Sequence, residues 1–117
     1  MARHHETGRK GEETAASYLI GQGYTILARN YRYRKAEIDL IVRKGNLLVF
    51  VEVKTRSRQD FGYPEEAVSA RKIQLFFRTA DEYIYRTKWR YDLRFDIIAI
   101  QTDGQAYEVH HIEDAFH

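Results

Sequence analysis

The fold turns on Glu37-Ile-Asp-Leu-Ile-Val-Arg-Lys-Gly-Asn-Leu-Leu-Val-Phe-Val-Glu-Val-Lys54. Two apolar, β-branched runs flank Lys44-Gly-Asn46, a tight hairpin signal. A two-residue loop at Gly45-Asn46 sets Asp39 opposite Glu52, and any other loop length slips the register by a residue. Outward from this hairpin, Tyr24 to Arg32 reads as a preceding strand and Thr7 to Ile20 as an amphipathic helix stopped by Gly21 and Gly23. On the other side, Pro64-Glu65-Glu66 reads as the start of a second helix running to about Thr87. Leu93 to Ile100 is a buried strand, Asp103-Gly104 a turn, and Ala106 to Ile112 a last strand. The order αβββαββ predicts an α/β protein. A meander of three antiparallel strands leads through the second helix to a parallel fourth strand, and helices flank a central mixed sheet.

A chain of 117 residues with 44% apolar and 14% aromatic composition fits one domain, 1–117, with one ordinary core. Absence of cysteine rules out disulfides, thiolate metal sites and thiol nucleophiles. No apolar run approaches the ~20 residues that span a bilayer, and Met-Ala-Arg-His-His-Glu is followed by no apolar leader segment. A cytoplasmic location with no membrane partner is the expectation. Charge is uneven: residues 1–58 hold 12 Lys/Arg against 6 Asp/Glu, and residues 59–117 hold 7 against 11. The densest basic stretch is Arg29-Asn-Tyr-Arg-Tyr-Arg-Lys35. It suits a polyanion, and it suits equally a strand edge protected by charge.

The chemistry concentrates at Asp39, Glu52 and Lys54. Glu52 and Lys54 are two apart on one strand and emerge on the same face, and the hairpin register brings Asp39 to that face. Glu12 lies on the apolar stripe of the first helix, three, four and seven residues before Ala15, Ala16 and Leu19. Carboxylate oxygens suit Mg²⁺ or Mn²⁺, and a neighbouring lysine can orient water or offset phosphate charge. The competing reading is a cross-strand ion pair on a solvated face.

This pattern resembles the PD-(D/E)xK nuclease superfamily. More narrowly, the chain resembles the YraN-like bacterial family, relatives of archaeal-type Holliday-junction resolvases. The resemblance runs through Gly11-Glu12, Glu37-Ile-Asp-Leu-Ile41, Val49 to Arg56, Gly62-Tyr-Pro64, Lys72, Arg94-Phe-Asp96 and His111 to Phe116. It implies a restriction-endonuclease-like core. It also implies that Asp39, Glu52 and the backbone carbonyl of Val53 bind the metal, that Lys54 serves the attacking water, and that Glu12 completes the site. Ala36 departs from the family's usual Gly at the start of that strand.

Phosphate contacts are expected from Arg29, Arg32, Arg34, Lys35, Arg56, Arg58 and Lys72. Glu37 reads as a supporting acid, Arg94 and Asp96 as an internal ion pair, and the terminal histidines show no zinc spacing. The function expected is metal-dependent hydrolysis of structured or branched DNA, and the resemblance implies a homodimer. The alternatives are a nucleic-acid-binding module with the same fold and little activity, and an interaction protein whose carboxylates only form ion pairs.

Overall fold

Leu48, Val49, Phe50 and Val51 are all 0% exposed, and four consecutive strand residues can be buried only when both faces are covered. The computed structural model describes residues 2–57, 68–103 and 105–116. In chain order the elements are α1 (Ala2–Gly21), β1 (Thr25–Tyr33), β2 (Ala36–Lys44), β3 (Leu47–Ser57), α2 (Ala70–Thr87), β4 (Asp92–Thr102) and β5 (Tyr107–Ile112). They form one five-stranded sheet in the order β1-β2-β3-β4-β5. Strands β3 and β4 are parallel, and the other neighbours are antiparallel. This is the α/β mixed sheet expected from the sequence.

On one face, Ala15, Ala16 and Leu19 of α1 pack over Leu40, Val42, Val49, Val51, Ile98 and Ile100. On the other, Phe76 and Ala80 of α2 cover Ile41, Leu48, Phe50 and Ile97. Full burial of each large aliphatic or aromatic side chain is worth roughly 1.5–3 kcal/mol, so the two helices hold the sheet from both sides. Gly11 sets the closeness of α1. A Cβ there would collide with Thr55 Oγ1, so only glycine lets the helix backbone rest on β3.

Two boundaries differ from expectation. Helix α1 begins at Ala2 rather than Thr7. Helix α2 begins at Ala70, capped by the Ser69 hydroxyl, which accepts the Lys72 amide at 3.1 Å. A serine cap satisfies an orphan amide directly, which fixes the start of α2 at Ala70. Residues 58–67, with Pro64 and Arg58, lie outside the described residues, as does Gly104 of the expected turn.

The hairpin register is the expected one, with Leu40 opposite Val51 and Lys44 opposite Leu47. Gly45 takes the positive φ of 59° that the two-residue loop needs. A second two-residue turn, Arg34-Lys35, joins β1 to β2, with Tyr33 opposite Ala36. The left-handed residue of that turn is Arg34, at φ 57°. Ala36 itself is an ordinary strand residue at the start of β2.

Candidate functional site

The ladder between β2 and β3 stops at Leu40 and Val51. Beyond it Asp39 Oδ2 accepts the Val53 amide at 2.8 Å, replacing the carbonyl that a continuing ladder would supply. A strand residue sends its N–H and C=O to the same side, so the Val53 carbonyl also faces the gap where β2 leaves β3. Glu52, 4% exposed, sits beside it. Asp39, Glu52, Glu37, Lys35 and Lys72 line one cavity of about 260 Å³ with Phe76.

Charge in this cavity is tightly balanced. Lys72 Nζ lies 2.7 Å and Lys54 Nζ 3.8 Å from the same oxygen, Glu52 Oε1. Burial, reinforced by the Glu52 charge, pushes the Asp39 carboxyl up to about 8, although the Val53 amide works the other way. Lys54 is lowered from the usual lysine range by burial and by the neighbouring Lys72 charge. Burial also acts against Lys72, but its hydrogen bond to Glu52 prevails and holds it above that range.

Glu12 reaches the cluster through a residue that sequence reading passed over. Asn30 Nδ2 donates to Glu37 Oε1 at 2.7 Å and lies 3.3 and 3.2 Å from the two oxygens of Glu12. Asn30 has φ 50°, a left-handed conformation that asparagine tolerates better than most residues. The twist there reverses which residues of β1 face inward, so exposure runs through Arg29 and Asn30 together. Glu12 and Glu37 both stand close enough to add to the upward push on Asp39. An asparagine interrupting an otherwise alternating strand was the available signal.

Among the described residues, no three acidic or imidazole groups converge as a closed metal cage. A hard cation here would rest on the Asp39 and Glu52 carboxylates, the Val53 carbonyl and water, which is the sparse, open donor set that Mg²⁺ accepts. The raised Asp39 carboxyl is what two neighbouring buried acids produce without a cation between them. The residues therefore fit a Mg²⁺ or Mn²⁺ ion.

The remaining expected phosphate contacts are scattered. Arg29 is exposed on the edge strand β1. Arg32, 76% exposed, leans on Glu37 at 3.6 Å. Arg34 lies over the Tyr33 ring at 5.3 Å, Lys35 borders the acid cavity, and Arg56 lies half-buried two residues past Lys54. Lys72 is inside the acid cluster rather than on an outer face. Tyr31 is packed edge-on against Tyr83 and accepts a hydrogen bond from Arg86.

Arg94 and Asp96 form the expected internal pair, with both guanidinium contacts at 2.8 Å. Asp96, 0% exposed, also takes His111 Nε2 at 2.7 Å and the Asp114 amide at 3.0 Å. His111 Nδ1 meets the Tyr18 hydroxyl at 3.0 Å, so this histidine ties β5 to α1 beneath the sheet. Its position near the chain end gave no hint of that.

A five-stranded mixed sheet between two helices, with carboxylates and lysines gathered where the central hairpin splits, defines a restriction-endonuclease-like α/β protein. Residues 11–100 match the family described as "Uncharacterised protein family UPF0102", and the chain belongs to that family. It is 44% identical over 117 residues to a UPF0102 protein of Flavobacterium psychrophilum, covering 100% of this chain and 98% of that one. Identity to a UPF0102 protein of Flavobacterium johnsoniae is 46% over 121 residues, covering 100% and 98%. A UPF0102 protein of Prosthecochloris aestuarii is 44% identical over 119 residues, covering 96% and 94%. No helix among the described residues is long and apolar enough to cross a membrane.

Proposed function

We propose that this protein is a Mg²⁺- or Mn²⁺-dependent nuclease acting on structured or branched DNA. One observation carries the reading: Asp39 and Glu52 share a small cavity at the point where β2 leaves β3, with the Val53 carbonyl facing the same gap. Asp39 is fixed by the Val53 amide, so its second oxygen is aimed without any loss of freedom on binding. A divalent cation held there supplies Lewis acidity toward a phosphate oxygen and lowers the pKa of its water. Lys54, lowered from the usual lysine range by burial and by Lys72, is suited to orient the attacking water. Lys72 stands where it can shift from Glu52 to a phosphate oxygen. Glu12, held by Asn30, adds negative charge that favours cation entry. Cutting both strands of a branched substrate requires two such sites, so a homodimer belongs to the same reading, checked by sedimentation.

A specific observation supports a second reading, a nucleic-acid-binding module with little activity. Two lysines already neutralise Glu52, so the cluster is balanced without a metal. Titration calorimetry with Mg²⁺ and Mn²⁺ separates the two, on wild type and Asp39→Ala, with cleavage of branched and single-stranded DNA followed in parallel. Binding and cutting lost together in the variant support the nuclease. Absence of metal binding even with DNA present overturns it in favour of the module.

A further inference from the structure

Next to the acid cavity, a second one of about 470 Å³ runs between the β1–β2 turn and α2. Its walls carry Arg34 and Lys35 on one side and Arg71 and Arg78 on the other, with Tyr33 and Leu75 between them. The two cavities share Lys35, Ala36 and Leu75, so they lie side by side along the same residues. Positions 71, 75 and 78 fall on one stripe of the helix, which turns both α2 arginines toward the turn. All four cations are exposed. Lys35, Arg71 and Arg78 form no ion pair with any described residue, in contrast to Lys72 a short way along the channel. At its far end the channel changes sign, where Asp81 and Glu82 join Arg34 and Arg78 around the next cavity. The positive length from Lys72 to Arg78 is about 9 Å along the helix, enough for about two phosphates of an extended, unpaired strand.

We propose that this channel takes an unpaired polynucleotide strand and leads it to the acid cluster. This rests on the nuclease reading for its direction, though not for its binding. Exposed cations facing each other across an apolar floor match a phosphate backbone. Tyr33, already stacked by Arg34 at 5.3 Å, offers a ring to a base in the manner of single-strand binders. The short positive length and the single ring of Tyr33 suit one extended strand better than the two backbones of a duplex. The substrate class is thus a junction, flap or gap with a free single-stranded arm.

The test is fluorescence anisotropy in EDTA with three DNA probes: a blunt duplex, the same duplex with a single-stranded arm, and the arm alone. Wild type binds the two arm-containing probes at least about 10-fold more tightly than the blunt duplex. The double variant Arg71→Ala/Arg78→Ala loses that preference, and its log–log salt slope falls by about 1.4, at ~0.7 per cation on a single strand. Alanine is a better helix former than arginine, so the fold survives, and Arg90→Ala serves as a control away from the channel. Asp81→Lys extends the positive track and tightens arm binding, a gain that a purely structural role for this surface would not produce. Equal affinity for blunt and armed duplex, or no effect of the double variant, overturns the channel. Because no metal is present, a protein that cuts nothing in Mg²⁺ would overturn the nuclease reading and leave this result standing.

Discussion

Asp39 caps the open end of a β-ladder with its own side chain: Oδ2 accepts the Val53 amide at 2.8 Å, where the next backbone carbonyl of β2 would otherwise sit. The carboxyl is thereby held by the strand that carries Glu52, and the two acids cannot move apart without breaking a backbone contact.

That arrangement makes stability fall with rising pH. Asp39 is raised to about 8 by burial and by Glu52, above its unfolded value, so the folded state holds a proton that the unfolded state has lost. The stabilisation is complete below about pH 4 and is lost as pH climbs through about 8, at up to ~1.4 kcal/mol per unit. Urea unfolding in EDTA should show this decline in wild type and not in Asp39→Asn, whose amide oxygen still accepts the Val53 N–H. Millimolar Mg²⁺ should flatten the wild-type curve.

Asp96 behaves in the opposite sense. Burial opposes its ionisation, but hydrogen bonds from His111, Arg94 and the Asp114 amide prevail and keep its carboxyl below the usual range. Its contribution is present above the unfolded pKa and is lost as pH falls through the lowered folded one. Asp96→Ala leaves Arg94 without its buried partner and should cost about 3–5 kcal/mol, read as a large drop in Tm at pH 7.

Lys72 and a divalent cation compete for the same carboxylate. Lys72→Ala should therefore tighten Mg²⁺ binding about 5-fold in calorimetry, since solvent screening of this half-exposed lysine reduces the charge term to about 1 kcal/mol. If cleavage falls while metal affinity rises, Lys72 acts on phosphate as well as on Glu52.

Asn30→Gly keeps the left-handed backbone but removes the clamp on Glu12 and Glu37. We expect an unchanged fold by circular dichroism and about a 10- to 100-fold loss in metal affinity or cutting, the usual effect of removing a group that orients a metal site. Wild-type activity in this variant would show that Glu12 needs no such support.

Gly11→Ala tests the seating of α1. The new Cβ meets Thr55 Oγ1, and the overpacking should cost about 1–3 kcal/mol despite alanine's better helix propensity. Adding Thr55→Ala removes the clashing hydroxyl and should restore most of the loss in a double-mutant cycle.

Much of this was legible in the chain. The Leu47–Val51 run, apolar at every position, announced a buried strand, and Lys44-Gly-Asn46 marked the hairpin whose two-residue loop, one of the lengths open to it, brings Asp39 beside Glu52. Other features were hidden because they depend on partners far away in sequence. Asn30 adopts its left-handed turn where Glu12 and Glu37 converge from two other elements. His111 gains its role only when β5 docks against Asp96 and α1. The start of α2 at Ala70 depends on the Ser69 cap, which is recognised only from its contact with the Lys72 amide.

The eleven-residue parallel pairing of β3 with β4, from Leu47 opposite Asp92 to Ser57 opposite Thr102, also dictates an order of assembly. A short hairpin closes in about 1–10 μs, whereas the parallel pairing must first draw together segments about 45 residues apart, a slow, high-contact-order event. Asp39 and Glu52 thus meet early, on the hairpin alone, with only Lys54 of the same strand beside Glu52 until α2 brings Lys72. Pulse-labelled hydrogen exchange should find the β2–β3 amides protected before those of β4. It should also find the early step hastened by Asp39→Asn, so that the acid pairing which serves the finished site acts as a brake on its own formation.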